Sequence, residues 1–273
     1  MKVRSLLRRL RTSAQVLRRE PGVVLRLPRF VWRTFKEGPR ASLDRLRRLS
    51  DPLRFSVDYE AWLAEFGTTD LEKEAMQAWA EALPEPAQIA VLMPVFNPKP
   101  EWLQAAIASV QAQLYPHWQL CIADDCSTDP RIRPLLEAAM AADSRIQVVF
   151  RERNGHICAS SNSALELVQA PWLALLDHDD LLPDDALIWV AQAIQAHPQA
   201  RLFYSDEDKI SPDETRFDPY FKGDWNPLLM QAQNTFSHLG VYSTALVRSV
   251  GGFREGFEGS QDHDLVLRCS ERL

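Results

Sequence analysis

The sequence predicts an α/β protein built on a doubly wound, mostly parallel sheet. From Gln88 onward, short apolar runs alternate with longer segments of helical periodicity, which is the pattern of parallel strands joined by helices. Several runs are apolar throughout, as in strands that are buried on both faces of a sheet. No internal repeat or low-complexity tract interrupts the alternation. We therefore expect one α/β domain over residues 87–273, preceded by a helical extension.

The predicted elements of this domain follow one another in a regular order. Strands are expected at 89–96, 118–125, 145–150, 172–177, 200–205 and 238–243. Helices are expected at 101–114, 127–142, 158–168 and 184–197, with a last helix after Gly259. The second of these helices has favourable N-cap residues in Ser127, Thr128 and Asp129.

Two segments precede the domain. Residues 51–86 are expected to form a helical lead-in of two helices, the first ended by Gly67 and the second by Pro84. Residues 1–50 carry 15 Lys/Arg and 3 Asp/Glu, a local charge of +12, against -18 for the rest of the chain. Apolar residues at helical spacing lie between these arginines, which is typical of a helix in an anionic membrane interface. The same pattern also fits a helix that packs on a partner protein.

The composition argues against a membrane-spanning protein and against a secreted one. No apolar stretch approaches the roughly 20 residues of a transmembrane helix, and no continuous apolar core follows the basic N-terminus as in a signal peptide. The four cysteines show no metal-ligand spacing, so reduced thiols are expected. We therefore expect a cytoplasmic protein that contacts the inner face of the cytoplasmic membrane through residues 1–35. Since no nucleic-acid-binding motif is found, no nucleic acid partner is expected.

The stretch at 172–180, WLALLDHDD, places three carboxylates directly after an apolar run. Asp177, Asp179 and Asp180 would repel one another unless a cation or hydrogen-bond donors lie between them. Mg²⁺ and Mn²⁺ take oxygen ligands, and Mg²⁺ is commonly shared between carboxylates and substrate phosphates. The stretch therefore favours a metal-diphosphate site, although a solvated acidic turn that caps the next helix would have a similar sequence.

Two other predicted strands also end in acidic residues. Asp124 and Asp125 follow the second strand, and Asp206, Glu207 and Asp208 follow the fifth. Ligands of open α/β sheets bind at the carboxyl ends of the strands. A parallel sheet would bring all of these carboxylates to one edge, where they suit the N–H of a base and the hydroxyls of a ribose.

Eight short motifs complete the picture. They are PVFN at 94–97, ADDCSTD at 123–129, NGHICASSN at 154–162, LLDHDD at 175–180, YSDEDK at 204–209, DWNP at 224–227, GGF at 251–253 and SQDHDLVLR at 260–268. In this order, over about residues 89–268, they resemble the family 2 inverting glycosyltransferases. The likeness is greatest to enzymes that build bacterial O-antigen and rhamnose-rich surface polysaccharides, and the helical lead-in resembles theirs.

The resemblance implies a GT-A fold, a nucleotide-diphosphate sugar donor, a glycan or lipid-linked acceptor, and Mn²⁺ or Mg²⁺ as cofactor. Asp177 and Asp179 match the Asp-x-Asp metal motif, with Asp180 alongside. The nucleotide-binding positions are matched by Pro94, Asp124, Asp125 and Asp177. Supporting positions are Asp180, Asp206, Trp225, His238 and Gln261, the last standing where the family often has Glu.

The catalytic base of the family is matched by Asp262, at the start of the last predicted helix. A general base would take the proton of the acceptor hydroxyl as it attacks the sugar. A carboxylate in the first turn of a helix is also favoured by the helix dipole alone. Two residues further on, Asp264 is expected at the helix surface or in a supporting role.

Other classes of protein fit less well. A dehydrogenase would carry G-x-G-x-x-G after the first strand, and a sugar nucleotidyltransferase would carry a Gly-rich basic loop where PVFNPKP stands. The alternative that stays open is a truncated or non-catalytic nucleotide-sugar-binding module. It stays open because Leu273 falls within an expected helix and the family continues with further elements.

We expect residues 1–50 to bind anionic vesicles. Each basic residue near such a surface contributes about 1 kcal/mol, so binding should weaken steeply as the salt concentration rises. Co-sedimentation of the full chain and of a chain without residues 1–50 measures this, with uncharged vesicles as the control. Equal sedimentation of the two chains would contradict the expectation.

Overall fold

The computed structural model describes residues 59–273, so the predicted basic segment at 1–50 lies outside the described residues. The described chain begins with two helices, as the lead-in pattern predicts, α1 (Tyr59–Phe66) and α2 (Asp70–Glu81). Gly67 ends the first, its N–H donating to the Leu63 carbonyl at 2.7 Å. Thr69 begins the second in a capping box with Glu72, in which side chain and main chain bond reciprocally.

A six-stranded sheet forms the centre of the following domain. Its first five strands are β1 (Ile89–Val95), β2 (Trp118–Asp124), β3 (Ile146–Phe150), β4 (Trp172–Leu175) and β5 (Leu202–Tyr204). A separate antiparallel hairpin follows, β6 (Glu207–Ile210) and β7 (Arg216–Tyr220), and the chain then returns to the sheet as β8 (Gly240–Ser243).

The strand order is β3-β2-β1-β4-β8-β5. The neighbours from β3 to β4 pair in parallel, whereas β8 runs antiparallel to both β4 and β5. The carboxyl ends of the other five strands therefore lie at one edge of the sheet. The predicted mostly parallel sheet is confirmed, with one reversed strand inside it.

Helices cover both faces of this sheet. They are α3 (Pro100–Gln111), α4 (Ile132–Ala142), α5 (His156–Leu167), α6 (Ala186–Ala196), α7 (Pro227–Ala232), α8 (Thr244–Ser249) and α9 (Gln261–Ser270). Successive side chains of a strand point to opposite faces. Val91 and Met93 thus pack with helices α2, α3, α4 and α6, and Ala90 and Leu92 with α5, α8 and α9. The sheet is doubly wound, as predicted.

The prediction for α4 was wrong at its N-terminus, because the capping side chains are used elsewhere. Ser127 Oγ accepts a hydrogen bond from the Asn97 N–H at 2.9 Å. Asn97 Oδ1 in turn accepts from the N–H of Thr128 at 2.8 Å and of Asp129 at 3.1 Å. These residues form a loop bound to the end of β1, and the helix begins only at Ile132.

The hairpin β6–β7 was not predicted. The sequence placed Asp206, Glu207 and Asp208 at the end of the fifth strand, yet Glu207 begins a further strand, β6. Asp208 pairs with Arg216 at 2.6 Å and Lys209 with Asp218 at 2.6 Å, so these charges are cross-strand partners. Three consecutive acidic residues gave no alternating strand pattern, so β6 could not be seen in the sequence.

Two further expectations concern the thiols and the membrane. All four cysteines are free, as predicted, and burial raises the pKa of Cys121 to about 12. Between residues 59 and 273, none of the helices has the length and apolar character needed to cross a bilayer.

Candidate active site

Three potential metal ligands meet at the carboxyl edge of the sheet. Carboxylate oxygens of Asp177 and Asp180 and a ring nitrogen of His238 lie within 4.8 Å of one another. Leu176 donates its N–H to the Leu92 carbonyl at 3.0 Å, which ties the chain after β4 to β1. The Asp180 N–H then donates to the Asp177 carbonyl at 3.2 Å and closes a turn that presents both carboxylates together.

The electrostatics of this cluster favour a cation. Burial raises the pKa of Asp177, and the charges of Asp179 and Asp262 add to the effect, while His238 and His178 oppose it. Burial also raises the pKa of Asp180, with Asp177 as a further contributor. Ionising both carboxylates is therefore costly, and a divalent cation would remove that cost. Two carboxylate oxygens and one imidazole nitrogen are suitable ligands for such an ion.

Asp179, the second residue of the predicted Asp-x-Asp pair, is exposed and lies outside this group of three. It lines an adjoining groove together with Asp180 and Asp206, and that groove shares His238 with the site. The structure therefore brings Asp177 together with Asp180 and His238, two residues that the sequence placed only in supporting roles.

The acidic pair after β2 is almost completely buried, with 5% of Asp124 and 1% of Asp125 exposed. The Asp125 carboxylate accepts a hydrogen bond from the Gly155 N–H at 3.0 Å and lies 2.8 Å from Arg151 Nε. It thus joins the end of β2 to the start of α5. Asp124 accepts from the Ser127 N–H at 3.3 Å and belongs to the loop that Asn97 holds.

Pro94 connects the two acidic ends of the sheet. It pairs in register with Ala123 on β2, next to Asp124. On the other side, its carbonyl accepts a hydrogen bond from His178 Nδ1 at 3.1 Å. The positions predicted to hold a nucleoside and those predicted to hold a diphosphate therefore lie on the two sides of β1, next to Pro94.

A cavity of about 310 Å³ lies beside Pro94. Pro94, Asp177, His238 and Asp262 all line it, and much of the remaining wall is apolar, including Phe253. Asp124, Asp125, Asp206 and Trp225 do not line it. Ligand cavities commonly combine such apolar walls with a few convergent polar groups. The structure thus brings Asp177 of the predicted metal motif and the predicted base Asp262 into a single chamber, which Asp179 does not line.

Asp262 lines the chamber from the first turn of α9. Its Oδ2 accepts hydrogen bonds from Asn234 Nδ2 at 2.7 Å and from Ser237 Oγ at 2.5 Å. Leu265 and Val266 are completely buried and anchor the helix. Asn234 and Ser237 were not singled out from the sequence, although the polar run NTFSH at 234–238 was a usable signal.

Asp264 is not at the helix surface, and that part of its prediction was wrong. Only 8% of the residue is exposed, and its carboxylate is bonded by Arg254 and by Arg268, the latter at 2.7 Å. Although burial alone would raise the pKa of Asp264, hydrogen bonds from the two arginines lower it. Arg268 also donates to the carbonyls of Val250 and Gly252, so Asp264 fixes the glycine-rich loop before α9.

The remaining supporting residues lie around the site. Gln261 Oε1 accepts from the Gly259 N–H at 2.8 Å and stiffens the entry to α9. Asp206 accepts from the Lys222 N–H at 2.7 Å. Trp225 is 39% exposed and packs edge-on against Phe236, with 6.4 Å between ring centroids.

A mostly parallel sheet with its polar site at the carboxyl edge is the architecture of α/β proteins that bind nucleotides there. The family model "Glycosyl transferase family 2" matches residues 90–250. The chain belongs to this family, and the resemblance found in its motifs is confirmed.

Individual relatives agree with this assignment. The chain is 47% identical over 251 residues to protein y4gI of Sinorhizobium fredii, a match that covers 86% of this chain and 27% of that protein. It is 34% identical over 215 residues to the O-antigen biosynthesis protein RfbC of Myxococcus xanthus, covering 79% of this chain and 17% of that protein. The chain thus spans less than a third of the length of each of these relatives.

Among solved structures, S. aureus TarS 1-349 in complex with UDP-GlcNAc is similar in fold. Its TM-score is 0.56 at 21% sequence identity, and the match covers 67% of this chain and 53% of TarS 1-349. This likeness confirms the predicted GT-A type of fold.

We expect Asp264→Asn to lower the free energy of unfolding by about 3 kcal/mol, because it leaves the largely buried Arg268 without its partner. The control is Asp218→Asn, which breaks an exposed pair with Lys209 and should cost at most about 1 kcal/mol. Urea denaturation of both variants measures the difference. Since the folded-state pKa of Asp264 is lowered, the parent's advantage should persist above about pH 4 and shrink as the pH falls further. Equal losses in the two variants would contradict this role.

Proposed function

We propose that the chain is a metal-dependent, inverting glycosyltransferase. It would move a sugar from a nucleotide-diphosphate sugar to a glycan or lipid-linked acceptor during synthesis of a surface polysaccharide. The observation that carries the proposal is the chamber lined by Asp177, His238 and Asp262, which places a carboxylate beside two members of the possible metal-ligand cluster. Membership of the family supports the transferase class, and the name of RfbC supports the type of product.

The nucleoside of the donor would lie at the ends of β1 and β2. Pro94 lies near the end of β1 and Asp124 ends β2. Asn97 holds the loop after β2 through three hydrogen bonds, each between a main-chain N–H and a side-chain oxygen. Asp125, bound to Arg151 and Gly155, would keep Asp124 in position. That TarS was solved with UDP-GlcNAc supports a donor of this chemical class.

The diphosphate of the donor would lie beside Asp177, Asp180 and His238, which we propose as the ligands of Mn²⁺ or Mg²⁺. When bound, the cation would offset the negative charge that develops on the leaving diphosphate. We assign the second carboxylate ligand to Asp180 rather than to Asp179, because only Asp180 has an oxygen close to both partners.

Asp262 would act as the general base. Asn234 and Ser237 hold its Oδ2, and Oδ1 would then receive the proton of the acceptor hydroxyl. The acceptor oxygen would attack the anomeric carbon from the side opposite the diphosphate. One bond forms as the other breaks, so the anomeric configuration inverts in a single displacement.

The metal assignment separates two neighbouring aspartates. Loss of a residue that supports a metal ligand typically lowers metal affinity by about 10-fold to 100-fold. Asp180→Asn changes a proposed ligand itself, so it should weaken Mn²⁺ binding by at least that much. Asp179→Asn, the matched control, should retain affinity close to that of the parent. Titration calorimetry with Mn²⁺ in the absence of nucleotide measures both. The reverse ranking would restore Asp179 as the ligand, and no binding by the parent would remove the metal from the proposal.

The base assignment predicts a loss confined to the chemical step. Asp262→Asn keeps the shape of the side chain but cannot accept a proton, so transfer should fall by about 10²-fold to 10⁴-fold. Affinity for the nucleoside diphosphate should change little. The measurements are sugar transfer with a panel of nucleotide sugars and nucleotide binding by calorimetry.

Two variants, one directly after α9 and one within it, control for this experiment. Glu271→Gln makes the same chemical change at an exposed position and should leave transfer near the parental rate. Asp264→Asn, assayed where it remains folded, should lose less activity than Asp262→Asn. Near-parental transfer by Asp262→Asn would refute the assignment. Nucleotide binding without any transfer by the parent would favour the non-catalytic module instead.

A further inference from the structure

The main chain of His238 is held from both sides by charged side chains. Its N–H donates to Glu207 Oε2, and its carbonyl accepts from Lys222 Nζ at 2.8 Å. The two charged atoms are themselves 3.7 Å apart. Glu207 begins β6 and Lys222 follows β7, so the two ends of one hairpin enclose the segment that carries His238.

Lys222 is an unusual residue to find in this position. Only 1% of its side chain is exposed, and burial lowers the pKa of its ammonium group in spite of the nearby charges of Glu207 and Asp206. Burying a charge is costly, and a carboxylate at 3.7 Å compensates poorly for it. The close hydrogen bond of the ammonium goes instead to the carbonyl of His238. Asp206 contributes by holding the main chain of Lys222, accepting its N–H at 2.7 Å.

We propose that Lys222 and Glu207 are positioning residues that hold His238 in reach of the carboxylates of Asp177 and Asp180. The inference rests on the proposed function, because it takes His238 as a ligand of the cation. It also assigns separate roles to the acidic residues of the YSDEDK motif. Glu207 holds His238, Asp206 holds Lys222, and Asp208 pairs with Arg216 within the hairpin.

Substitution of Lys222 or Glu207 should therefore lower the affinity for the metal while the fold is retained. Partners that orient a metal ligand typically contribute 10-fold to 100-fold to affinity. Lys222→Met keeps an unbranched side chain one atom shorter and removes the donor, and we expect it to weaken Mn²⁺ binding by about 10-fold or more. Glu207→Ala, which removes the acceptor, should act in the same direction. Lys209→Met removes an exposed lysine from the same hairpin and should have no effect.

The test is titration of the full chain with Mn²⁺ in the absence of nucleotide, with thermal melting to confirm folding. Each variant is also made in a His238→Ala background. If Lys222 acts through His238, Lys222→Met should cost nothing further once the imidazole is gone. Binding of nucleoside diphosphate without metal should stay near the parental value in all folded variants.

The outcomes separate the two proposals. Parental Mn²⁺ affinity in Lys222→Met and Glu207→Ala, or an undiminished loss in the His238→Ala background, would overturn the positioning role and leave the metal site intact. No Mn²⁺ binding by the parent would overturn the metal site and the positioning role with it. Should Lys222→Met fail to fold, Glu207→Ala and its double variant decide the question alone.

Discussion

Repulsion between carboxylates at the carboxyl edge of the sheet is the constraint on which the site depends. Asp177 and Asp180 are brought together by a turn, and burial makes their simultaneous ionisation costly. Other charges of the same edge are neutralised within the protein, Asp125 by Arg151 and Asp264 by Arg254 and Arg268. Arginines thus accompany Asp125 and Asp264, whereas the ligand atoms of Asp177 and Asp180 lie near each other and near that of a histidine.

The chemistry is distributed over elements that approach the edge from different directions. β1, β2 and β4 bring their carboxyl ends, whereas α9 brings its first turn and β8 brings the segment before its first residue. Hydrogen bonds hold each of these segments. They are the bonds of Asn97, the turn after β4, the two bonds donated to Asp262, and the bonds of Glu207 and Lys222 to the main chain of His238. Rigid support of this kind is what a transition-state-complementary site requires.

Much of the fold could be predicted because buried strands form short, continuous apolar runs that can be recognised in a sequence. The run IAVLMPV is buried at every position and can only be a central strand. Asp177 and Asp262 were predicted for one site, and both line one chamber. The closeness of Asp180, rather than Asp179, to Asp177 and His238 was not predicted. In an extended chain residues two apart share a side, but a turn brings residues three apart together, and nothing in LLDHDD announces the turn.

Other contributions were beyond the sequence for a different reason. Lys222 contacts the main chain of His238, and nothing in the sequence beside Lys222 indicates that partner. The polar run at 234–238 marked Asn234 and Ser237 as candidates but did not show that Asp262 is their partner. The capping residues before α4 show the same effect in reverse. Their local preference was for a helix start, and the longer-range bonds to Asn97 prevailed.

The reversed strand β8 has a consequence for the stability of the whole sheet. Because β8 enters at the edge where β4 leaves, the cluster of Asp177, Asp180 and His238 spans the junction between the parallel part of the sheet and its antiparallel remainder. An ion bound by these three residues would join the segment after β4, which carries Asp177 and Asp180, to the segment before β8, which carries His238. Its binding free energy would then add directly to the free energy of unfolding, increasing with the logarithm of the ion concentration. The cofactor would serve as a cross-link of the sheet as well as a participant in the reaction.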